Sequence, residues 1–192
     1  MKRSFLFDLG FHHGEGLDYL AQLYEVDEAW TIFCFEANSA CRAALLRAGY
    51  LRQPRFAPMP LAAYIKAGPI LFQRQAETDG GREDGQGSHL AEMELALDCH
   101  GAGREEVWAI DFPMFLRAMI PVEREGCFVV VKMDIEGAEY EILRTMLADG
   151  SIERVDVLHV DFHQRLMAGE NNETTEALRE ALRTFVKLVE HW

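Results

Sequence analysis

The sequence contains few cysteines, and their arrangement argues against an oxidised, cross-linked protein. Only four occur among 192 residues, and no two of them form a Cys-x-x-Cys pair. Cys34 and Cys127 lie in apolar, strand-like runs, where a free thiol acts as a small hydrophobic side chain. This pattern favours a reducing, cytoplasmic location over an oxidising one.

Long hydrophobic runs and an excess of basic side chains are also missing. No apolar run approaches the length that spans a membrane, and the apolar stretch of the N-terminus is too short for a signal peptide. There are 19 lysines and arginines against 32 acidic residues, which gives a formal net charge of -13. Such a field repels phosphate backbones and anionic lipid surfaces, so we expect neither nucleic acid nor a membrane as a partner.

What the sequence does contain is the composition of a globular protein, with 49% hydrophobic and 27% charged residues. Its length predicts a single domain over residues 1–192. Strand patterns alternate with helical periodicity, which predicts a doubly wound α/β fold with a mostly parallel sheet and helices on both faces. The predicted strands cover residues 4–8, 31–36, 70–74, 106–111, 128–131, 155–162 and 186–190, and the predicted helices cover 15–24, 40–48, 112–119, 139–147 and 174–185.

Two further predictions concern a glycine-rich connecting segment and the residues of the hydrophobic core. Residues 77–88 hold four glycines and no large apolar side chain, which indicates either a connecting loop or a lid over a cleft. Trp30, Trp108 and the phenylalanines of the strands are expected in the core, together with His159 as a hydrogen-bonded core histidine.

Acidic residues stand at the ends of four predicted strands. These are Asp8, Glu36, Asp134 and Asp161. Open α/β sheets bind ligands beyond the carboxyl ends of their strands, and a carboxylate is costly to bury there without a partner. The four acids together predict a site at this edge of the sheet.

The segment after the first strand contains a glycine-bearing loop of the form D-x-G-x-x-x-G-x-G, from Asp8 to Gly16. Gly10 permits a tight turn, and Gly14 lets the next helix begin close to a ligand. The spacing differs from the dinucleotide pattern G-x-G-x-x-G. Glu36, at the end of the second strand, can accept both ribose hydroxyls, so these residues predict a nucleoside-bearing cofactor and leave S-adenosylmethionine and NAD both open.

The run KMDIEGAE, residues 132–139, is the strongest local motif. Gly137 allows a turn before a helix, and Glu139 lies in its first turn, where the helix dipole favours a carboxylate by about 0.3–1 kcal/mol. We therefore assign Glu139 a structural role. Asp134 and Glu136 have no such local explanation and are expected to face the cleft.

Several of these strings resemble one known family. VVVKMDIEGAEYEIL is similar to the K-I-D-V-E-G-A-E motif of FkbM-type methyltransferases, and FDLG, FCFEAN, LAAYIKAGPILFQ and VLHVDFH follow in that family's order over residues 5–165. The resemblance implies a single Rossmann-like methyltransferase domain with an inserted hairpin. It also implies methyl transfer from S-adenosylmethionine, most often to a hydroxyl of a small molecule or saccharide.

The sequence departs from the family pattern in places that bear on activity. FHHGEG replaces the small residues of the first loop, FEA lacks the usual proline, and the terminal hairpin is expected to be incomplete before Trp192. A non-catalytic binding protein that retains the fold is therefore the alternative to an enzyme. The glycine spacing and the DIEGAE string disfavour a third possibility, a NAD-dependent oxidoreductase.

The resemblance and the strand-end positions together define candidate roles. Asp8, Gly10, Gly14 and Glu36 are the predicted cofactor-binding residues. Asp134 is the first candidate for base or metal ligand, followed by Glu136 and His163. Asp134, Asp161 and His163 could hold a divalent cation such as Mg²⁺, although a histidine favours a softer metal, and we prefer a site without metal. His12 and His13 are expected in the loop beside the cofactor.

Overall fold

The computed structural model describes residues 3–51, 55–75, 88–90, 101–124, 126–164 and 167–190. Most of the predicted loop over 77–88 lies outside this range. Within it, no helix is long and apolar enough to cross a membrane. In chain order the elements are β1 (Arg3–Leu9), α1 (Glu15–Leu23), β2 (Trp30–Phe35), α2 (Arg42–Leu51), β3 (Phe56–Met59), β4 (Ala62–Tyr64), β5 (Gly68–Gln75), β6 (His89–Leu90), β7 (Gly101–Asp111), α3 (Phe112–Met119), β8 (Cys127–Met133), α4 (Glu139–Asp149), a 3₁₀ helix (Ser151–Arg154), β9 (Val157–Val160), α5 (Asn172–Arg183) and β10 (Lys187–Val189).

Among the described residues, six strands form the main sheet in the order β10-β9-β8-β1-β2-β3, and every pairing between them is parallel. Leu6 in β1 is aligned with Ile32 on one side and Val130 on the other. From β1 the chain order runs outward to β2 and β3 on one side, and from β8 it runs outward to β9 and β10 on the other. A crevice therefore opens beyond the carboxyl ends of β1 and β8, where such sheets bind ligands.

Both faces of the main sheet are covered, as the predicted fold class requires. Phe7 and Phe35 belong to a core that also contains buried residues of α3, α4 and α5. Leu6 and Cys34 face the other way, into a second core with buried residues of α1 and α2. Successive side chains of β1 and β2 therefore point to opposite faces of the sheet, and those on both faces are mostly apolar. This pattern is typical of the central strands of a doubly wound fold.

A second sheet has four strands in the part of the chain that the structure describes, in the order β4-β7-β5-β6. It contains the inserted hairpin, in which β5 and β7 pair antiparallel. Its inner face packs into the same core as Phe7, through Phe72, Leu90 and Val107. Trp108 lies on the outer face and is 63% exposed. The prediction that Trp108 is a core residue is wrong, because side chains alternate between the two faces of a strand and its neighbours Val107 and Ala109 take the buried side.

Several element boundaries differ from the predicted ones for a common reason. β7 begins at Gly101 rather than at 106, because its outer part pairs with β5 although only the inner part carries apolar residues. β9 covers only Val157–Val160 of the predicted 155–162, the residues paired with β8 and β10. Helix α2 continues past Gly49 to Leu51. Backbone pairing and helical continuity, which the side-chain pattern does not show, set these ends.

Candidate active site

The turn after β1 contacts the ends of both β2 and β8, and so brings the two sides of the site together. The backbone N–H groups of Gly10 and Phe11 both donate to the Phe35 carbonyl at the end of β2. Gly10 has φ +84°, and a Cβ there would lie 1.9 Å from the backbone carbonyl oxygen of Asp134. Only glycine allows this approach, so β1, β2 and β8 end at one place.

A buried ion pair supports this turn from inside the sheet. The Lys132 Nζ lies 3.1 Å from Asp8 Oδ1 and donates to the Gly10 carbonyl at 2.5 Å. Burial lowers the pKa of Lys132, but the charges of Asp8 and Asp134 and the hydrogen bond with Asp8 outweigh it, so the pKa is raised above its ordinary value. The charged lysine therefore fixes the position of the Gly10 turn.

Asp8 was predicted to bind the cofactor, and its position is different. Its side chain is fully buried, and it is not among the residues lining the cavity beyond the strand ends. The strand pattern located Asp8 near the end of β1 correctly, but β1 continues to Leu9 and turns the carboxylate toward Lys132. Asp8 acts on the site through Lys132.

Gly14, which was predicted to let α1 begin close to the cofactor, does not itself line the cavity. It adopts φ +100° immediately before α1, and a Cβ there would lie 2.9 Å from the Phe11 ring. The cavity is lined by the neighbouring Glu15 and Gly16 rather than by Gly14. The glycine sets the direction of α1, and the start of that helix still reaches the site.

The cavity itself has a volume of about 510 Å³ and lies between the strand ends of the main sheet and the small sheet. Ala62, Phe72 and Leu90 of the small sheet give it an apolar wall. Of the eight predicted site residues, those that line it are Gly10, Glu36, Asp134, Glu136, Asp161 and His163, together with the loop residue His12.

Glu36 is held in a fixed orientation at the end of β2. Its Oε2 accepts the backbone N–H of His12 at 2.6 Å, and its Oε1 accepts that of Asn38 at 2.7 Å. Burial raises the pKa of Glu36, and the two N–H donors partly offset that rise. Each carboxylate oxygen has a second lone pair, so the oriented group can accept further hydrogen bonds from a ligand in the cavity.

Glu139 connects the DIEGAE turn to the end of β9. It is fully buried; its Oε2 accepts the Gly137 N–H at 2.9 Å, and its Oε1 accepts the His163 backbone N–H at 2.8 Å. The same oxygen lies 3.1 Å from His163 Nδ1. The contact with Gly137 agrees with the structural role predicted for Glu139. The contact with His163 was missed, because no local pattern reveals a partner 24 residues away.

The other ring nitrogen of His163 faces three carboxylates. Nε2 lies 3.4 Å from Glu136 Oε2, 3.7 Å from Asp134 Oδ1 and 3.9 Å from Asp161 Oδ2. Burial lowers the pKa of His163, but the hydrogen bond with Glu139 and the charges of Glu139, Glu136 and Asp134 raise it to about 9. The three predicted catalytic residues therefore form one cluster, with Asp161 at its edge.

A second cluster was not foreseen from the sequence. His12, His13 and Cys41 bring one ligand atom each within 4.8 Å of one another, and His12 and Cys41 line the cavity. The histidines were expected in this loop, but Cys41 comes from the segment before α2 and its approach depends on tertiary packing.

Comparison with models of protein families identifies the family of this chain. A model described as the methyltransferase FkbM domain matches residues 8–187. The chain belongs to the FkbM methyltransferase family. No curated protein and no solved structure matches it at a comparable level. The FkbM match begins at Asp8 in β1 and ends at Lys187 in β10, so it reaches every strand of the main sheet named above and includes every residue that lines the cavity. The protein is a methyltransferase by family, and the cavity at the switch in strand order is its candidate active site.

Proposed function

We propose that this protein uses S-adenosylmethionine to methylate a hydroxyl group of a small molecule or saccharide. The observation that carries the proposal is that Glu36 and Asp134, from opposite sides of the switch in strand order, open into one cavity. Its volume of about 510 Å³ is within the usual range for pockets that enclose a small-molecule ligand.

The residues on the β1–β2 side fit the cofactor. Glu36 is buried, oriented by two backbone N–H groups and aimed into the cavity, as a partner for two ribose hydroxyls must be. Gly10 leaves room where any side chain would collide with the backbone of Asp134. The start of α1 offers a favourable environment for the carboxylate of the amino-acid part. When bound, S-adenosylmethionine supplies a sulfonium-activated methyl group, whose carbon–sulfur bond breaks as the acceptor oxygen attacks.

The residues on the β8–β9 side handle the proton of the acceptor. Asp134 lies between two cationic groups, with Oδ1 3.7 Å from His163 Nε2 and Oδ2 3.8 Å from Lys132 Nζ. These neighbours position its carboxylate at the cavity wall, where it takes the hydroxyl proton as the new oxygen–carbon bond forms. A positioned base of this kind contributes about 10²–10⁴-fold to the rate.

The acceptor is proposed from the remaining walls of the cavity. Ala62, Phe72 and Leu90 suit an apolar face, and the carboxylates opposite suit hydroxyl groups. A small molecule or saccharide combines both. The net charge of -13 makes nucleic acid and anionic membranes poor partners, and the buried, reduced thiols of Cys34 and Cys41 suit a cytoplasmic setting.

Calorimetric titration with S-adenosylmethionine, S-adenosylhomocysteine and NADH tests the cofactor. We expect both adenosyl compounds to bind and Glu36→Gln to weaken them by about 10- to 100-fold, since a charge-assisted hydrogen bond is worth about 1.5–3 kcal/mol. The matched control is Glu28→Gln, on an exposed residue before β2, which should bind normally. Tight binding of NADH instead would overturn the proposal.

A methyl-transfer assay with a panel of hydroxylated acceptors tests the reaction. Asp134→Asn should lower kcat by about 10²–10⁴-fold and leave the affinity for S-adenosylhomocysteine nearly unchanged. Binding of the adenosyl compounds without transfer to any acceptor would favour the alternative, a binding protein that keeps the methyltransferase fold.

A further inference from the structure

We propose that Asp134, Glu136 and His163 form a binding site for a divalent transition-metal cation of the Mn²⁺ type. Asp161 lies at its edge and supplies an additional carboxylate. The proposal concerns cation binding by the chain itself, so it goes beyond methyl transfer and does not require it.

The spacing of the ligand atoms fits a single cation. One ligand atom from each of Asp134, Glu136 and His163 lies within 4.8 Å of the other two. Around one metal at about 2.1–2.2 Å, two ligands lie about 3.0 Å apart at a right angle and about 4.3 Å apart on opposite sides. The distances of 3.4 Å and 3.7 Å from His163 Nε2 to Glu136 and Asp134 fall between these limits.

The environment of His163 provides a second and independent observation. Its side chain is only 10% exposed, and Nδ1 is held by the fully buried Glu139. Nε2 therefore points into the space between the carboxylates, at distances longer than the 2.7–3.2 Å of an ordinary N–H···O bond, and a cation binds there in place of the Nε2 proton, which is released to solvent. A histidine whose far nitrogen is fixed by a buried carboxylate is the usual arrangement around a protein-bound metal, because it sets the tautomer and orients the ligating nitrogen.

Glu139 prepares this geometry independently of any cation. It also accepts the backbone N–H groups of Gly137 and His163, so the turn before α4 and the segment after β9 are fixed relative to each other. Glu139 is therefore a positioning residue, and the ring of His163 is already oriented in the absence of metal.

The donor set indicates which cation is preferred. Carboxylate oxygens suit Mg²⁺, Ca²⁺ and Mn²⁺, whereas an imidazole nitrogen favours softer ions. A site with one nitrogen and two or three oxygens therefore fits Mn²⁺ better than Mg²⁺. Where the proposed function holds, a cation held by these residues would supply Lewis-acid activation of the acceptor hydroxyl, a role that rests on that function.

Titration of chelator-treated protein with Mn²⁺, followed by the electron paramagnetic resonance signal of the free ion, tests the site without cofactor or acceptor. We expect one Mn²⁺ per chain and displacement by Mg²⁺ only at large excess. Glu136→Gln and His163→Gln should each weaken binding at least tenfold, and Glu139→Gln by about 10- to 100-fold. Asp161→Asn changes an exposed side chain and should weaken binding severalfold with an unchanged melting temperature.

Two controls separate this site from others. Glu106→Gln, on an exposed residue of β7, should leave Mn²⁺ binding unchanged, and so should Cys41→Ala, which removes the thiol of the second cluster. The inference is overturned if the folded chain binds no stoichiometric Mn²⁺, or if the site variants bind it as the wild type does. Because S-adenosylhomocysteine binding is measured separately, its loss alongside intact Mn²⁺ binding would refute the proposed function and leave this inference standing.

Discussion

Gly10 is the residue on which the joining of the two halves of the site depends. Its φ of +84° is unfavourable for other residues, and its missing Cβ leaves space for the Asp134 carbonyl. Gly150, after α4, has a similar φ of +74° and no atom within 4 Å of the corresponding Cβ position. Comparing substitutions at the two glycines therefore separates the cost of backbone strain from the cost of a steric collision with Asp134.

We predict that Gly150→Ala lowers the free energy of unfolding by about 1–2 kcal/mol, the cost of strain alone. Gly10→Ala should lower it by several kcal/mol more, because the β1 and β8 ends must move apart. Urea unfolding of both variants measures the difference. Equal losses would show that the close approach of Gly10 to Asp134 is unimportant.

The pair of Asp8 and Lys132 stabilises the same turn through charge. Lys132→Met removes the cation 3.1 Å from the Asp8 carboxylate, and we expect a loss of about 3–5 kcal/mol. Asp8→Asn combined with Lys132→Met should recover part of this loss. The control Arg183→Met removes half of an exposed ion pair with Glu176 and should cost at most about 1 kcal/mol. Unfolding free energies that are additive in the double variant would contradict the coupling.

At the scale of elements, a hydrogen bond joins the end of α1 to β9. The hydroxyl of Tyr24 and the Nε2 of His159 are 2.7 Å apart, and His159 is fully buried, as predicted for a core histidine. Burial and the charge of Lys187 lower the pKa of His159 to about 4. The imidazole of His159 is therefore neutral when α1 and β9 are packed as in the native structure.

This pKa has a definite consequence for stability. In the unfolded chain His159 takes up a proton near pH 6.5, whereas in the folded chain it does so near pH 4. The contribution of neutral His159 to the free energy of unfolding is thus fully present above pH 6.5. This contribution, roughly 3 kcal/mol, is lost as the pH falls toward 4. His159→Gln removes this titration, so its melting temperature should fall less steeply than that of the wild type over this range. Parallel curves would contradict the prediction.

At the scale of the whole molecule, the cavity lies between two sheets that share one core. Glu36 and Asp134 come from the main sheet, and Phe72 and Leu90 come from the small one. A ligand in the cavity contacts both sheets, so its binding energy stabilises the packing between them.

S-adenosylhomocysteine at 100 times its dissociation constant should stabilise the protein by about 2.7 kcal/mol, and so raise the melting temperature by about 5–10 °C. Hydrogen exchange should slow at the β1–α1 turn and in β4. It should change little in the first turns of α5, which do not line the cavity. Protection confined to one sheet would show that the ligand does not bridge the two.

The amino-acid sequence was enough to predict the α/β class, the order of the main elements and the DIEGAE turn. It could do so because these features depend on local periodicity and on glycine, which act between neighbours in the chain. Four acids near strand ends also predicted a site at the carboxyl edge of the sheet, and three of them line the cavity there.

The partners of those side chains depend on the three-dimensional packing of the chain. Asp8 turns inward to Lys132, Gly14 packs against Phe11, and Glu139 holds His163 across 24 residues. Trp108 is exposed because of the way β7 pairs within the second sheet. Such contacts depend on strand register and on packing between distant segments, and a one-residue shift reverses the side that each residue faces. The sequence shows which residue types are present, whereas the fold decides which partners they contact.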